Sequence, residues 1–264
     1  MPIESDDERR RRRRHRVLFD TVADLYDTSR RGYPAELVEV MVATAGLAAG
    51  SSVLEIGCGT GQLTGQLATR DLAVTAIDIG PAMIERARRR VDAPAVRFEV
   101  AAFEEFEAAA GSFDLVVSAT AFHWIDPEVR FVKVARLLRP GGWLALLSTG
   151  ERYDDPLGSA VVEMWAARSH DHGEWVKQRK LSGVDLGAAA DLFDAPIERD
   201  HDERLTVPAQ AVVDVENTRA TSLSWDEDVR RGFNRELRHH LRSLSEVHLT
   251  QRTRLTMLRA RVRA

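Results

Sequence analysis

The run Val53-Leu54-Glu55-Ile56-Gly57-Cys58-Gly59-Thr60-Gly61-Gln62-Leu63-Thr64 limits what this chain can fold into more than any other stretch does. It is an apolar segment that breaks into three alternating glycines and resumes with helical spacing, so it reads as a strand, a tight turn and a helix N-terminus. Glycine reaches positive φ and lets a ligand approach bare backbone, and the first turn of a helix presents N–H groups with no partner of their own. A small polar ligand is therefore expected above residues 57–61.

Spacing narrows the ligand. A dinucleotide fingerprint G-x-G-x-x-G would need glycine at position 62, where Gln62 stands, and a phosphate loop would end in Gly-Lys-Ser/Thr, which is absent. The pattern present is Glu55-x-Gly57-x-Gly59-x-Gly61. A second apolar run, Ala73-Val74-Thr75-Ala76-Ile77, ends in Asp78, placed to close the next strand of a βαβ unit and to accept both hydroxyls of a ribose.

On these residues the sequence resembles the class I S-adenosylmethionine-dependent methyltransferases, over roughly residues 17 to 150 in consecutive order. The resemblance implies a doubly wound, Rossmann-like, seven-stranded and mostly parallel sheet. S-adenosyl-L-methionine is the implied cofactor and S-adenosyl-L-homocysteine its product. Glu55, Gly57, Cys58, Gly59 and Gly61 shape its seat, Asp78 takes the ribose, and Ile79, Ala119 and Thr120 are further expected cofactor contacts. The segment Tyr26-Asp27-Thr28-Ser29-Arg30-Arg31-Gly32-Tyr33-Pro34 is similar to one in a subgroup related to trans-aconitate methyltransferase, where Tyr26, Arg30 and Tyr33 would line the cofactor mouth. Packing of the two tyrosines against the core is the competing reading. Met83, after the helix-starting Pro81, would sit near the adenine or serve as core.

The family commonly has a short acid near the adenine amino group after strand three, and here Ala102 stands in that place. Either Glu104 takes the role or the backbone around Phe103 does. The phrase Phe122-His123-Trp124-Ile125-Asp126 again resembles the trans-aconitate-like subgroup and lies after a fourth strand, Phe113–Ala119. His123 is the candidate for acid-base work, because imidazole titrates near neutral pH; a structural role is the alternative. Phe122, His123, Trp124, Trp165 and Trp175 are the expected acceptor contacts.

Around this centre the chain reads as one domain over residues 17–264 behind a charged arm, 1–16, with 151–195 a helical acceptor-side insertion. Helices are expected over 17–26, 35–45, 127–138, 156–168, 174–181, 209–220 and 226–244. Strand five is expected at 143–148, strand six at 197–207, and an antiparallel edge strand seven at 250–262. Arg9 to Arg14 could meet an anionic surface, but a formal net charge of −4 and a pI near 6.1 leave no domain-wide basic field for nucleic acid. His170, Asp171 and His172 do not share a helical face, so no metal is expected. No apolar run approaches the ~20 residues of a membrane span, and no secretory signal is visible, so cytoplasm is the default, as monomer or homodimer. The expected function is methyl transfer to a small organic acceptor. The rivals are a cofactor-binding protein that performs no transfer or a rearrangement, and a macromolecule methyltransferase.

Overall fold

Strands β1 (Ser52–Ile56), β2 (Ala73–Asp78), β3 (Val96–Val100), β4 (Phe113–Ala119), β5 (Leu138–Tyr153), β6 (Ile197–Pro208) and β7 (Glu246–Arg259) form one sheet in the order β3-β2-β1-β4-β5-β7-β6. This is a computed structural model, and it describes residues 14–168 and 185–261. The first five strands run parallel, and β7 is antiparallel to both β5 and β6. The strand order reverses between β1 and β4, so a crevice opens at their carboxyl ends, where ligands collect in open α/β sheets.

Both faces of the sheet are covered, which is why β1 and β4 are apolar without alternation. On one side Val53 and Leu115 pack with Leu37 and Met41 of α2 (Ala35–Ala45) and Leu63 and Leu67 of α3 (Gln62–Ala68), next to Ile84 of α4 (Pro81–Arg90). On the other, Leu54 and Val116 meet Phe131, Val134 and Leu137 of α5 (Arg130–Leu137) together with Phe193. The N-terminal cover is a helical turn at 14–18, a 3-10 turn at Phe19–Val22 and helix α1 (Ala23–Ser29). The single long helix expected from residue 17 is thus divided, and the predicted boundary at 16/17 falls inside the turn.

Several boundaries differ for one physical reason. β5 extends to Tyr153 because β7 pairs with it along its whole upper half, to Tyr153 opposite Leu249. β7 therefore starts at Glu246, earlier than expected, and it is not an edge: β6 covers its other side and is itself the edge. The alternation in Gln251–Arg259 records two unlike faces, and it does not mark a solvent-exposed margin. The break expected at Arg139–Gly142 is the irregular start of β5, opposite a register shift between Phe113 and Leu115.

The tops of β5, β6 and β7 rise past β4 and carry a third core. Tyr153 packs there with Leu157 and Met164 of α6 (Leu157–Arg168), Val213 of α7 (Ala209–Glu216) and Phe233 and Leu237 of α9 (Glu227–Leu241). Residues 209–220, expected as one helix, are α7 and the short α8 (Ala220–Leu223), separated at Asn217–Arg219. The helical cap is thus built from the connection after β5 and equally from the one between β6 and β7. Helix 174–181 and the residues His170 to His172 lie outside the described residues, as do Arg9 to Arg13.

Candidate functional site

The glycine turn after β1 has positive φ at all three glycines, +70° at Gly57, +55° at Gly59 and +86° at Gly61. Two of them are fixed by close approach as well. A Cβ on Gly57 would stand 2.4 Å from Ala121 Cβ, and one on Gly61 would stand 3.2 Å from the Ala87 backbone of α4. Gly57 opens the site, whereas Gly61 lets two helices meet. The turn is pinned to β2: the N–H groups of Gly57 and Cys58 both donate to the Ile77 carbonyl, at 2.8 and 3.0 Å.

Asp78 completes that attachment. Its carboxylate accepts the N–H of Gly59 and of Gly80, both at 2.9 Å. Burial pushes the Asp78 carboxyl up, and the Gly80 and Gly59 N–H bonds pull it part of the way back. Each oxygen keeps acceptor capacity for a hydroxyl donor. Beneath the turn, Glu55 is 1% exposed and accepts a 2.6 Å bond from the Thr64 hydroxyl. Burial, partly offset by that bond, raises its carboxyl to about 8.

A cavity of about 700 Å³, counting its open mouth, lies above, walled by Gly57, Gly59, Asp78, Met83, Phe103 and Thr120. Its roof is the N-terminal cover, with Arg16, Phe19 and Tyr26 facing in beside Trp124. Phe19 meets Tyr26 and Trp124 edge to face, with centroids 6.0 and 5.9 Å apart. Polar contacts fasten the roof down. Asp20 accepts the N–H groups of Ala82 and Met83 at 2.8 and 3.1 Å and so caps α4 from a distant segment. Arg16 bridges both oxygens of Glu104 at 2.8 and 3.0 Å, Arg90 reaches the Thr60 carbonyl and Asp27, and Arg86 pairs with Asp24.

A second cavity, of about 930 Å³ including its open mouth, adjoins the first; Phe19, Tyr26, Thr120 and Trp124 line both. Thr120 holds φ +56°, unusual for a β-branched residue, and its hydroxyl lies 3.4 Å from that of Tyr33. Strain of this kind gathers at functional sites. The far wall carries Arg31, Glu151, Arg219 and Gln251. Behind it, buried Glu216 accepts Tyr153 Oη at 2.8 Å, Trp165 Nε1 at 3.0 Å and Arg219 Nε at 2.8 Å. Burial acts against the Arg219 charge, but Glu216 leads the interactions that outweigh it, so the guanidinium stays firmly protonated.

The structure brings together most of the residues expected to hold a cofactor. Tyr26, Gly57, Gly59, Asp78, Ile79, Met83, Phe103, Glu104, Ala119 and Thr120 line the first cavity. Ala101 lines it where Ala102 was expected, because Ala102 turns its carbonyl to cap Glu105 and Phe106. Glu55, Cys58 and Gly61 lie beneath or behind the wall. Glu104 is engaged by Arg16 and by the Asp126 N–H at 3.1 Å. Burial acts upward on its carboxyl, yet its own backbone N–H and Arg16 hold it below the usual range. Arg30 and Tyr33 line the second cavity, and Arg30 donates to Thr218 at 2.9 and 3.0 Å.

On the acceptor side, exposed His123 lines the second cavity with Trp124, whose ring is 4.6 Å from its own. Phe122 is buried against Phe131, with one edge on a neighbouring depression. Trp165 is not on the wall: it packs on Trp225 and Phe233 at 4.6 and 5.3 Å in the cap core. Trp175 lies outside the described residues. Arg16, Phe19, Asp20, Arg31, Gln62, Glu151 and Arg219 were not anticipated. The Asp20 cap had a usable signal, since Gly80-Pro81 opens α4 without a capping side chain of its own.

Comparison with known proteins agrees with this geometry. Residues 53–142 match the family described as a methyltransferase domain. An uncharacterized methyltransferase of Mycobacterium tuberculosis is 36% identical over 129 residues, 49% of this chain and 51% of that protein. A malonyl-[acyl-carrier protein] O-methyltransferase of Paenibacillus is 34% identical over 154 residues, 54% of this chain and 56% of that one. The chain thus spans about half the length of these curated relatives. Among solved structures, a protein of Anaeromyxobacter dehalogenans provisionally described as a type II methyltransferase shares the fold with a TM-score of 0.58 at 23% identity, over 86% of this chain and 97% of that one. The glycine turn pinned to Asp78 lies within the matched residues 53–142, so this part of the seven-stranded sheet is similar to a methyltransferase domain in sequence as well as in fold.

Proposed function

We propose that the protein transfers a methyl group from S-adenosyl-L-methionine to a small organic acceptor and releases S-adenosyl-L-homocysteine. The observation that carries this reading is the junction: a glycine-and-aspartate cavity and a polar cavity meet at Tyr26, Thr120 and Trp124. A donor in the first and an acceptor in the second would face each other there.

The residues fit the cofactor. Asp78 offers acceptor capacity for a ribose diol, and Met83 and Phe103 give apolar walls for a purine ring. Gln62 opens α3 with an Nε2 that is buried without a protein partner among the described residues, and it lines the second cavity, as does Arg30. A buried donor of that kind suits a carboxylate such as the amino-acid end of the cofactor. When bound, the cofactor supplies an electrophilic methyl on a sulfonium. The protein's task is then to hold the acceptor in line at near-attack distance and to exclude water, which the Phe19, Tyr26 and Trp124 roof does. His123 stands where it can take a proton from a hydroxyl or amine acceptor.

The direct test is to incubate the pure protein with the cofactor and fractionated small-molecule extract from cells lacking the gene. S-adenosyl-L-homocysteine should form together with a product one CH2 heavier than its precursor. His123→Ala should slow turnover with cofactor affinity unchanged. Tight cofactor binding with no S-adenosyl-L-homocysteine from any fraction would replace this reading with a cofactor-binding protein that does not transfer.

A further inference from the structure

We infer that the acceptor carries a carboxylate far from the atom that is methylated, and that Arg31 and Arg219 anchor it. This rests on the assignment of the second cavity to the acceptor. Thr120, at the junction, donates its N–H to the Leu147 carbonyl at 2.8 Å. Thr149 and Glu151 follow on β5, share a face by strand alternation, and line the cavity with Gln251, which pairs with Glu151 across β7. At ~3.3 Å per residue, Glu151 stands about 13 Å along the sheet from Leu147. The charged wall is therefore remote from the reacting end.

That wall favours an anion. Glu151 has one oxygen 3.4 Å from Arg31 and the other 3.4 Å from Arg219, so its charge already faces two guanidinium groups. Both contacts are longer than the ~2.7 to 2.9 Å of a well-formed charge-assisted bond, whereas Arg219 reaches Glu216 at 2.8 Å. The second carboxylate, Glu216, is 1% exposed and occupied from behind by Tyr153 and Trp165. Arg30, Arg31 and Arg219 are the cations of the lining and Glu151 is its carboxylate, with Glu216 behind the wall, so positive charge is in excess; Tyr26, Tyr33 and His123 are the other titratable groups of the lining. Glu151 itself shows that the gap between the guanidinium groups accommodates a carboxylate, and Arg31, with its side chain 30% exposed, can turn a donor to a second one.

Calorimetry on the full chain with saturating S-adenosyl-L-homocysteine, using octanoate, octanamide, octylamine and octyl phosphate as probes, tests this. Octanoate should bind at least tenfold tighter than octanamide, Arg31→Gln should remove that preference, and Arg31→Lys should restore part of it. Equal binding of acid and amide, tighter binding of octylamine or of octyl phosphate, an unchanged preference in Arg31→Gln, or no binding of any probe overturns the proposal. Titration of S-adenosyl-L-homocysteine alone is read separately, so failure of the cofactor site is distinguishable from failure of the anchor.

Discussion

At the scale of single residues, Glu55 has the most measurable consequence. Its carboxyl ionises near the ordinary 4.5 when the chain is unfolded and at about 8 when folded. Between those values the folded state binds the proton more tightly, so stability falls as pH rises from about 4.5 to about 8 and levels off above, by up to ~1.4 kcal/mol per pH unit. Glu55→Gln should remove that slope, and its melting temperature relative to wild type should be higher at pH 8 than at pH 5. A parallel pH dependence of the two proteins would contradict the assignment. Gly57→Ala should fail for a different reason. Its Cβ would meet Ala121 and its φ is +70°, so relieving only the clash with Ala121→Gly should recover little of the lost cofactor affinity.

At the scale of elements, the N-terminal cover works through α4. Asp20 supplies the capping oxygen that this helix lacks in its own sequence, and Gly80 makes room, since a Cβ there would lie 2.5 Å from Asp20 Oδ1. Asp20→Ala should lower stability by ~1 kcal/mol, the ordinary worth of an N-cap, and should also weaken cofactor binding because Phe19 and Tyr26 come loose with it. Thermal unfolding with parallel calorimetry checks both; a stability loss with affinity unchanged would separate the cap from the roof. The contrast between elements shows what a sequence can carry. β1, the glycine turn, Asp78 and β4 were legible because each is set by local spacing and by continuous burial. The cap on α4, the Arg16 to Glu104 bridge and the Glu151 to Arg219 wall join residues far apart in the chain, so no local pattern announces them. Trp165 was misplaced by the same logic: an aromatic in an insertion reads as a pocket wall until the partners it packs on, Trp225 and Phe233, are known.

At the scale of the whole molecule, a three-layer sheet domain carries a helical cap on the raised ends of β5, β6 and β7, and the two share the Glu216 cluster. Glu216 is the sole carboxylate accepting Tyr153, Trp165 and Arg219 together among the described residues, and Arg219 reaches on to the cavity wall. Removing one partner of a buried ion pair leaves the other uncompensated at a cost of ~3 to 5 kcal/mol. Glu216→Ala should therefore lower the denaturant midpoint markedly, while Trp165→Phe, which loses one hydrogen bond, should cost ~1 kcal/mol. The cap and the sheet would then be expected to unfold together; separate transitions would show that the cluster does not couple them.

If Asp78 is the ribose anchor of a methyl-donor site, isothermal titration of S-adenosyl-L-methionine into wild-type protein and into Asp78→Ala must separate the two. Two charge-assisted hydrogen bonds to a diol, at ~1.5 to 3 kcal/mol, predict binding to the wild type and at least tenfold weaker binding to the variant, with its far-ultraviolet circular dichroism unchanged. Equal affinity in the two proteins, or no binding to the wild type, would contradict it.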